Sequence, residues 1–265
     1  MFRRYAVVPI SLLFIIGFAT SCGHGSSILG ASGSSVSLDD EWQLGNQLAA
    51  QVESQVQLNN DPRLNAYVRD VGERIHARTP IAGRPFTFHV INDPSVNAFA
   101  IPGGHVYVNT GLIQQAEKAD MLAGVLAHET SHVVARHAIK QIEQQQEIAA
   151  IGGILLGQNP SQVQTIIANI LAGGAMARFS REDEKEADDL GVGYMSAAGF
   201  DPHGMLEMFQ KLLSLESSQP NAVAKFLSDH PTTQSRINDI QKRIQGLPPG
   251  IVDEPEYQAA RRAAM

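Results

Sequence analysis

The sequence holds a single cysteine, Cys22, in 265 residues. One thiol excludes a disulfide framework and any structural zinc site built on cysteines. Basic residues are also few: 20 Lys and Arg stand against 27 Asp and Glu, a net charge of −7. Nucleic-acid binding draws on clustered cations, so that class of partner is set aside. Aromatic residues are scarce at 6%, but 43% of the chain is hydrophobic. That balance builds a packed core and excludes wholesale disorder. No apolar run reaches the ~20 residues that a membrane-spanning helix needs; Tyr5 to Ala19 falls short of it.

That run has a different use. Arg3 and Arg4 precede it as a positive segment, and small residues follow it, the order of an export signal. Ala19-Thr20-Ser21-Cys22 resembles the bacterial lipobox, with Ala19 where Leu is usual. The resemblance implies a signal peptide over residues 1–21, removed on export, and a lipid anchor on Cys22. Residues 22–37 are rich in Gly and Ser, the composition of a flexible tether. Gly23 follows the cysteine where an Asp would favour the inner membrane in Gram-negative lipoproteins. The expected location is therefore the periplasmic side of the outer membrane.

A folded domain is expected over 38–248, with 249–265 as a C-terminal tail. Trp42, Leu44, Leu48 and Val52 recur at helical spacing, and Asp61-Pro62 opens a second helix carrying Leu64, Val68, Val71 and Ile75. Phe86–Ile91, Phe99–Ile101 and His105–Asn109 read as strands, the last two joined by Pro102-Gly103-Gly104. Helical patterns dominate from Gly111 onward. The fold class is α+β: mainly helical, with one small sheet.

The chemistry concentrates after Asp120, a candidate helix cap. His128-Glu129-Thr130-Ser131-His132 is an HExxH motif inside an apolar helical stretch. Two histidines four residues apart project from one helix face and can grip one metal ion. Glu129 can then reach a water at that metal without ligating it, and act as general base. A catalytic zinc site needs a third protein ligand. Ala138 occupies the position where one class of such enzymes has its third His, and His137 stands one residue off. The acidic run Ser180–Asp189 offers Glu182, Glu184 and Glu186, and periodicity does not choose among them. Glu184 and Asp188, four apart, share a face.

Three segments in this order resemble the zinc metallopeptidase family of the CAAX prenyl protease, HtpX and the envelope proteins BepA and LoiP. They are Asn97-AFAIPGGHVYVNTGLI, His128-ETSH continuing to Arg136-His137, and Ser180-REDEKEADDLG. The resemblance covers roughly residues 38–245 and implies a zincin-like, gluzincin-type domain with one Zn2+ per chain. It maps the third ligand onto Glu184, with Asp188 supporting a ligand from behind. It places His230 of Asp229-His230-Pro231 near the zinc as a further active-site residue. Arg236 is either an ion-pair partner or a substrate contact. The resemblance also implies a substrate edge strand at the active site, read onto Gly104, His105, Val106 and Tyr107. Tyr107 and Tyr194 are candidate oxyanion donors beside His230. The chain lacks the long membrane segments of HtpX and the CAAX protease and ends soon after Arg236, short of BepA's helical repeats. The short LoiP-like lipoproteins are therefore the nearest class.

Between His132 and Glu184, residues 146–177 include two short apolar, Gly-rich stretches. They read either as a buried helical hairpin or as a flap or apolar contact surface over the cleft. The function expected is a zinc endopeptidase of the cell envelope acting on unfolded or misassembled envelope proteins, with the outer-membrane assembly machinery as a possible partner. The alternative is a latent or chaperone-like protein that uses the same cleft without cutting.

Overall fold

The computed structural model describes residues 34, 36–144 and 179–265. The expected signal peptide, Cys22, nearly all of the expected tether and the segment 146–177 lie outside the described residues. Helix α1 (Leu38–Gln55) begins where Ser37 accepts a hydrogen bond from the Asp40 N–H, and three acids occupy its first turn, at the positive end of the helix dipole. Helix α2 (Pro62–His76) is capped by Asp61, which accepts from the Arg63 and Leu64 N–H groups, with Pro62 at its start. Leu44, Leu48 and Val52 of α1, and Leu64, Val68, Val71 and Ile75 of α2, are buried as their spacing predicts.

Strands β1 (Thr87–Ile91), β2 (Ala98–Ile101) and β3 (His105–Asn109) form one sheet in the order β1-β3-β2. β2 and β3 make an antiparallel hairpin, and β1 pairs parallel with the other side of β3. The hairpin turn needs glycine: Gly103 and Gly104 both have φ 83°, in the left-handed region. Helix α1 crosses the turn so closely that a Cβ on Gly45 would lie 2.1 Å from the Pro102 carbonyl oxygen.

This topology corrects the expected substrate strand. β3 is central, and all five of its residues are buried. Gly104, His105, Val106 and Tyr107 therefore offer no free edge to a peptide. The outer side of β1 is partly covered by a bridge between Leu58 and Ile91. Among the described residues, the open edge belongs to β2. The hairpin is legible from local pattern, but the parallel partner comes from outside it.

The remaining described elements are α3 (Thr110–Gln115), α4 (Ala119–Val134), α5 (His137–Gln144), α6 (Arg181–Ala197), α7 (His203–Ser218), α8 (Pro220–Asp229), α9 (Gln234–Arg243) and α10 (Pro255–Ala263). Helix α4 carries the HExxH motif and is buried from Ala119 to Val133, as a helix apolar on every side must be. It packs against α2, α6, α7 and β2. Among the described residues no helix is long and apolar enough to cross a membrane.

Asp120 is not the cap of α4. The helix starts at Ala119, and Asp120 is buried in its first turn, where burial pushes its carboxyl up to about 7. The capping acceptors come from the far end of the chain. The Ala119 N–H donates to Asp253 Oδ1 at 3.1 Å, and the Asp120 N–H to the Val252 carbonyl at 3.0 Å. The expected tail is thus part of the packed structure. Tyr257 of α10 is fully buried, and its hydroxyl donates to the Ala116 carbonyl. Removing a helix cap costs roughly 1 kcal/mol, which in a chain of this size is about 2–4 °C. Asp253→Ala should lower the thermal midpoint by that amount, and a midpoint equal to wild type would show that the cap carries no stability.

Candidate metal centre

His128 and His132 sit one turn apart on the buried helix α4. The two Nε2 atoms lie 3.1 Å apart. Opposite them, helix α6 begins with a capping box, in which Ser180 accepts from the Asp183 N–H and the Asp183 carboxylate accepts from the Ser180 N–H. This start takes Asp183 Oδ2 into the cap, and packing on α4 sets which face of the helix is buried. Glu182 and Glu186 face solvent, whereas Glu184 and Asp188 are buried. The choice that periodicity leaves open is decided by that packing.

Glu184 approaches both histidines: Oε2 is 3.5 Å from His128 Nε2, and Oε1 is 3.5 Å from His132 Nε2. His230, at the C-terminal end of α8, completes the group. Its Nδ1 is 2.9 Å from Glu184 Oε1 and 3.3 Å from His128 Nε2. The four donor atoms lie within 4.8 Å of one another, and none of the four residues is more than 3% exposed. Glu129 lies beside them, with Oε1 3.5 Å from His230 Nε2. Both its carboxylate oxygens are buried and, among the described residues, have no hydrogen-bond partner.

Asp188 stands behind His128, with Oδ1 3.0 Å from Nδ1. Arg236 then grips Asp188 with two bonds, Nε to Oδ2 at 2.8 Å and Nη2 to Oδ1 at 2.7 Å, while its Nη1 pairs with Glu184. Of the two roles open to Arg236, the structure places it as an ion-pair partner. The guanidinium also lies over the Phe209 ring at 4.9 Å.

The arrangement fits a metal. Two imidazole nitrogens facing each other at 3.1 Å repel unless a proton or a cation lies between them. Ligand atoms held tetrahedrally at ~2.0–2.1 Å from zinc are about 3.3 Å apart, close to the separations here. Histidine and carboxylate are also the donors zinc takes. The electrostatics of the cluster agree. Burial disfavours charge on His128, but Asp188 and Glu184 outweigh it and push the imidazole up to about 9. Burial, aided by charge on His128, pushes His132 well below the usual histidine range. Burial works against ionised Glu184, yet His230, His128 and Arg236 hold it well below the usual carboxylate range. Burial likewise opposes ionisation of Asp188, and Arg236 and His128 overcome it. The buried acids thus draw positive charge onto the imidazoles they face, which is the charge a divalent cation would supply.

The candidate oxyanion tyrosines lie elsewhere. Tyr107 donates its hydroxyl to Glu53 at 3.2 Å and stacks between His89 and Phe99. Tyr194 packs on the apolar core. His105 lies between Thr87 and Asn46 at 2.8 and 3.1 Å. Two residues not anticipated from sequence do join the site. Phe179 stacks on His132, centroids 4.0 Å apart. His137 touches His132 as well, Nδ1 to Nδ1 at 2.8 Å. Counting along a continuous helix turns His137 away. The helix instead ends at Val134, and Arg136 takes φ 59°. A left-handed non-glycine residue costs ~1–2 kcal/mol. Arg136 is held there by Glu41 Oε2 at 2.7 Å and the Val36 carbonyl at 2.6 Å.

Comparison with known proteins supplies a context. A model of Peptidase family M48 matches residues 62–244. The chain is 33% identical over 237 residues to the beta-barrel assembly-enhancing protease of Escherichia coli (strain K12), covering 85% of this chain and 48% of that protein. It is 33% identical over 240 residues to the putative beta-barrel assembly-enhancing protease of Vibrio cholerae, covering 87% and 49%. It is 36% identical over 177 residues to the mitochondrial metalloendopeptidase OMA1 of Schizosaccharomyces pombe, covering 66% and 52%. The chain thus spans about half the length of the curated relatives it matches.

Removing one partner from a buried ion pair costs ~3–5 kcal/mol. Arg236→Met leaves Asp188 and Glu184 without their cation, so the urea midpoint of the metal-free protein should drop by the equivalent of that amount. Added zinc should recover part of the loss, and an unchanged midpoint would show that Arg236 does not hold the two acids.

Proposed function

The chain belongs to peptidase family M48, and from that membership we propose that it is a zinc-dependent endopeptidase of the cell envelope. The observation that carries this reading is one juxtaposition. His128, His132 and Glu184 converge within bonding reach of a single ion, and the unpartnered carboxylate of Glu129 lies at the same place. His128, His132 and Glu184 hold the zinc in this reading. Bound zinc supplies a Lewis acid and brings the pKa of water towards ~7.

The other contributions come from the chain. Glu129 takes the proton of the attacking water and returns it to the leaving amine. Its oxygens are free for that work because, among the described residues, no N–H or hydroxyl makes a hydrogen bond to them. Asp188 orients His128 through Nδ1, and Arg236 holds Asp188 in place. His230 has two uses. In the arrangement seen here it fills the fourth side of the cluster and closes it to a substrate carbonyl. Swung away from Glu184, it stands beside Glu129 and can donate to a developing oxyanion. Burial opposes its protonation, but Glu129 and Glu184 raise its pKa, which suits a donor.

A substrate peptide is read onto β2 rather than β3. Ala100, Ile101 and Pro102 line a small cavity together with His132, Val133 and Phe179, so the open edge of β2 runs beside the cluster. Strand addition there would hold an extended chain through its backbone, with little sequence demand. That suits unfolded or misassembled envelope proteins, the substrates inferred from relatives named as assembly-enhancing proteases. The outer-membrane assembly machinery is the partner inferred from the same names. The closed position of His230 favours the second reading, a latent or chaperone-like protein. The unencumbered Glu129 favours an enzyme.

A denatured outer-membrane protein incubated with the zinc-loaded chain should be cut, and a chelator should stop the cutting. Glu129→Gln should lower the rate by ~10²–10⁴-fold while metal analysis still finds one zinc per chain, and equal cutting by that variant would overturn the mechanism. Glu184→Ala should lose zinc, and full zinc content would refute its place as a ligand.

The outer-membrane location and the lipid anchor at Cys22 belong to this proposal. Cys22→Ser should move the protein from the membrane to the soluble periplasmic fraction, and unchanged membrane association would sink the anchor.

A further inference from the structure

His137 is 1% exposed, and the mechanism gives it no part. Its ring is wired at both ends. Nδ1 lies 2.8 Å from Nδ1 of His132. Nε2 lies 3.2 Å from Glu186 Oε2 and 3.4 Å from Asp183 Oδ1.

The protons along this line have one consistent placement. His132 turns Nε2 towards His128 Nε2 at 3.1 Å and Glu184 Oε1 at 3.5 Å. To give a lone pair to a cation there, Nε2 must be bare, and the proton of the neutral ring then sits on Nδ1. That N–H meets His137 Nδ1, which must accept it. His137 then carries its own proton on Nε2 and donates it to the carboxylate of Glu186, with the Asp183 carboxylate 3.4 Å away. Once His132 Nε2 is given to the cation, a proton on His137 Nδ1 would set two N–H groups face to face at 2.8 Å.

The backbone is shaped to bring this contact about. His137 follows His132 by five residues, which on a continuous helix places it about 140° around the axis. The left-handed turn at Arg136, φ 59°, cancels that rotation. A histidine serving only as core filling would need neither the turn nor carboxylates at its outer nitrogen.

We propose that His137 is a positioning residue for the metal site. It accepts the Nδ1–H of His132, fixes that ring's tautomer and orientation, and transmits the pull of Glu186 and Asp183 to the ligand. The inference rests on the reading of His132 as a zinc ligand. Partners of this kind behind a metal-bound histidine are commonly carboxylates or carbonyls. Here a second imidazole is interposed between the ligand and the acids.

Two measurements on the full chain test it. Ring-nitrogen NMR of the zinc-loaded protein should show His132 protonated on Nδ1 only and His137 on Nε2 only. A proton on His137 Nδ1 would overturn the proposal. Zinc affinity, read by competition with a chromophoric chelator, should fall ~10–100-fold in His137→Phe. His137→Asn places its Oδ1 near the lost Nδ1 and should recover most of that loss. Wild-type affinity in the Phe variant, or an equally deep loss in the Asn variant, would refute the accepting role. Metal-free thermal midpoints separate lost positioning from misfolding, and if the Phe variant does not fold, the NMR assignment decides alone. Full zinc affinity in His132→Ala would remove the premise itself, so the two failures are read apart.

Discussion

The guanidinium of Arg236, buried between Asp188 and Glu184, is the interaction on which the site depends. Three imidazoles and three carboxylates are buried together. Ionised carboxylates in such a place cost several kcal/mol each unless paired. Arg236 pairs two of them at once, in the planar two-bond geometry that lysine lacks. It thereby keeps Glu184 ionised and facing the histidines, and Asp188 ionised behind His128. Glu129 is left outside this arrangement, and that exclusion leaves its oxygens free for chemistry.

The same economy governs helix α4, which holds the two histidines and Glu129 in the middle of the core. A helix buried on every side has nothing to spare for its own ends, and both ends are finished by distant parts of the chain. Asp253 and Val252 take the first N–H groups. At the other end Arg136 leaves the helix in a left-handed conformation, pinned by Glu41 of α1 and the Val36 carbonyl. The segments flanking the motif-bearing region in sequence are therefore the ones that fix the metal-bearing helix in space, and His137 reaches His132 only because that exit is so held.

Much of this was legible beforehand, and the boundary of what was legible is physical. The HExxH spacing states that two imidazoles share a helix face, because helical geometry is local. The start of α2 follows from Asp61-Pro62 for the same reason. The acidic run from Ser180 shows three glutamates of equal standing, and only the resemblance singles out Glu184; the cap at Ser180 fixes where α6 starts, and its packing on α4 buries the face that carries Glu184. The substrate strand was misplaced because a hairpin shows its own two strands and not the parallel neighbour that covers one of them. Asp120 was read as a cap because its real replacements, Val252 and Asp253, lie at the other end of the chain.

The chemical kind of this protein is written along the chain: two histidines and a glutamate on one apolar helix, an acidic helix to answer them, a small sheet, and a family. Those are statements about neighbours along the chain, where bond geometry and periodicity suffice. Packing settles which acid turns inward, which strand keeps an open edge, that Arg236 joins the two buried carboxylates, and that His137 stands behind His132. Each of these is a contact between residues far apart in sequence, decided by which surfaces bury together and which charges can be paired once water is gone.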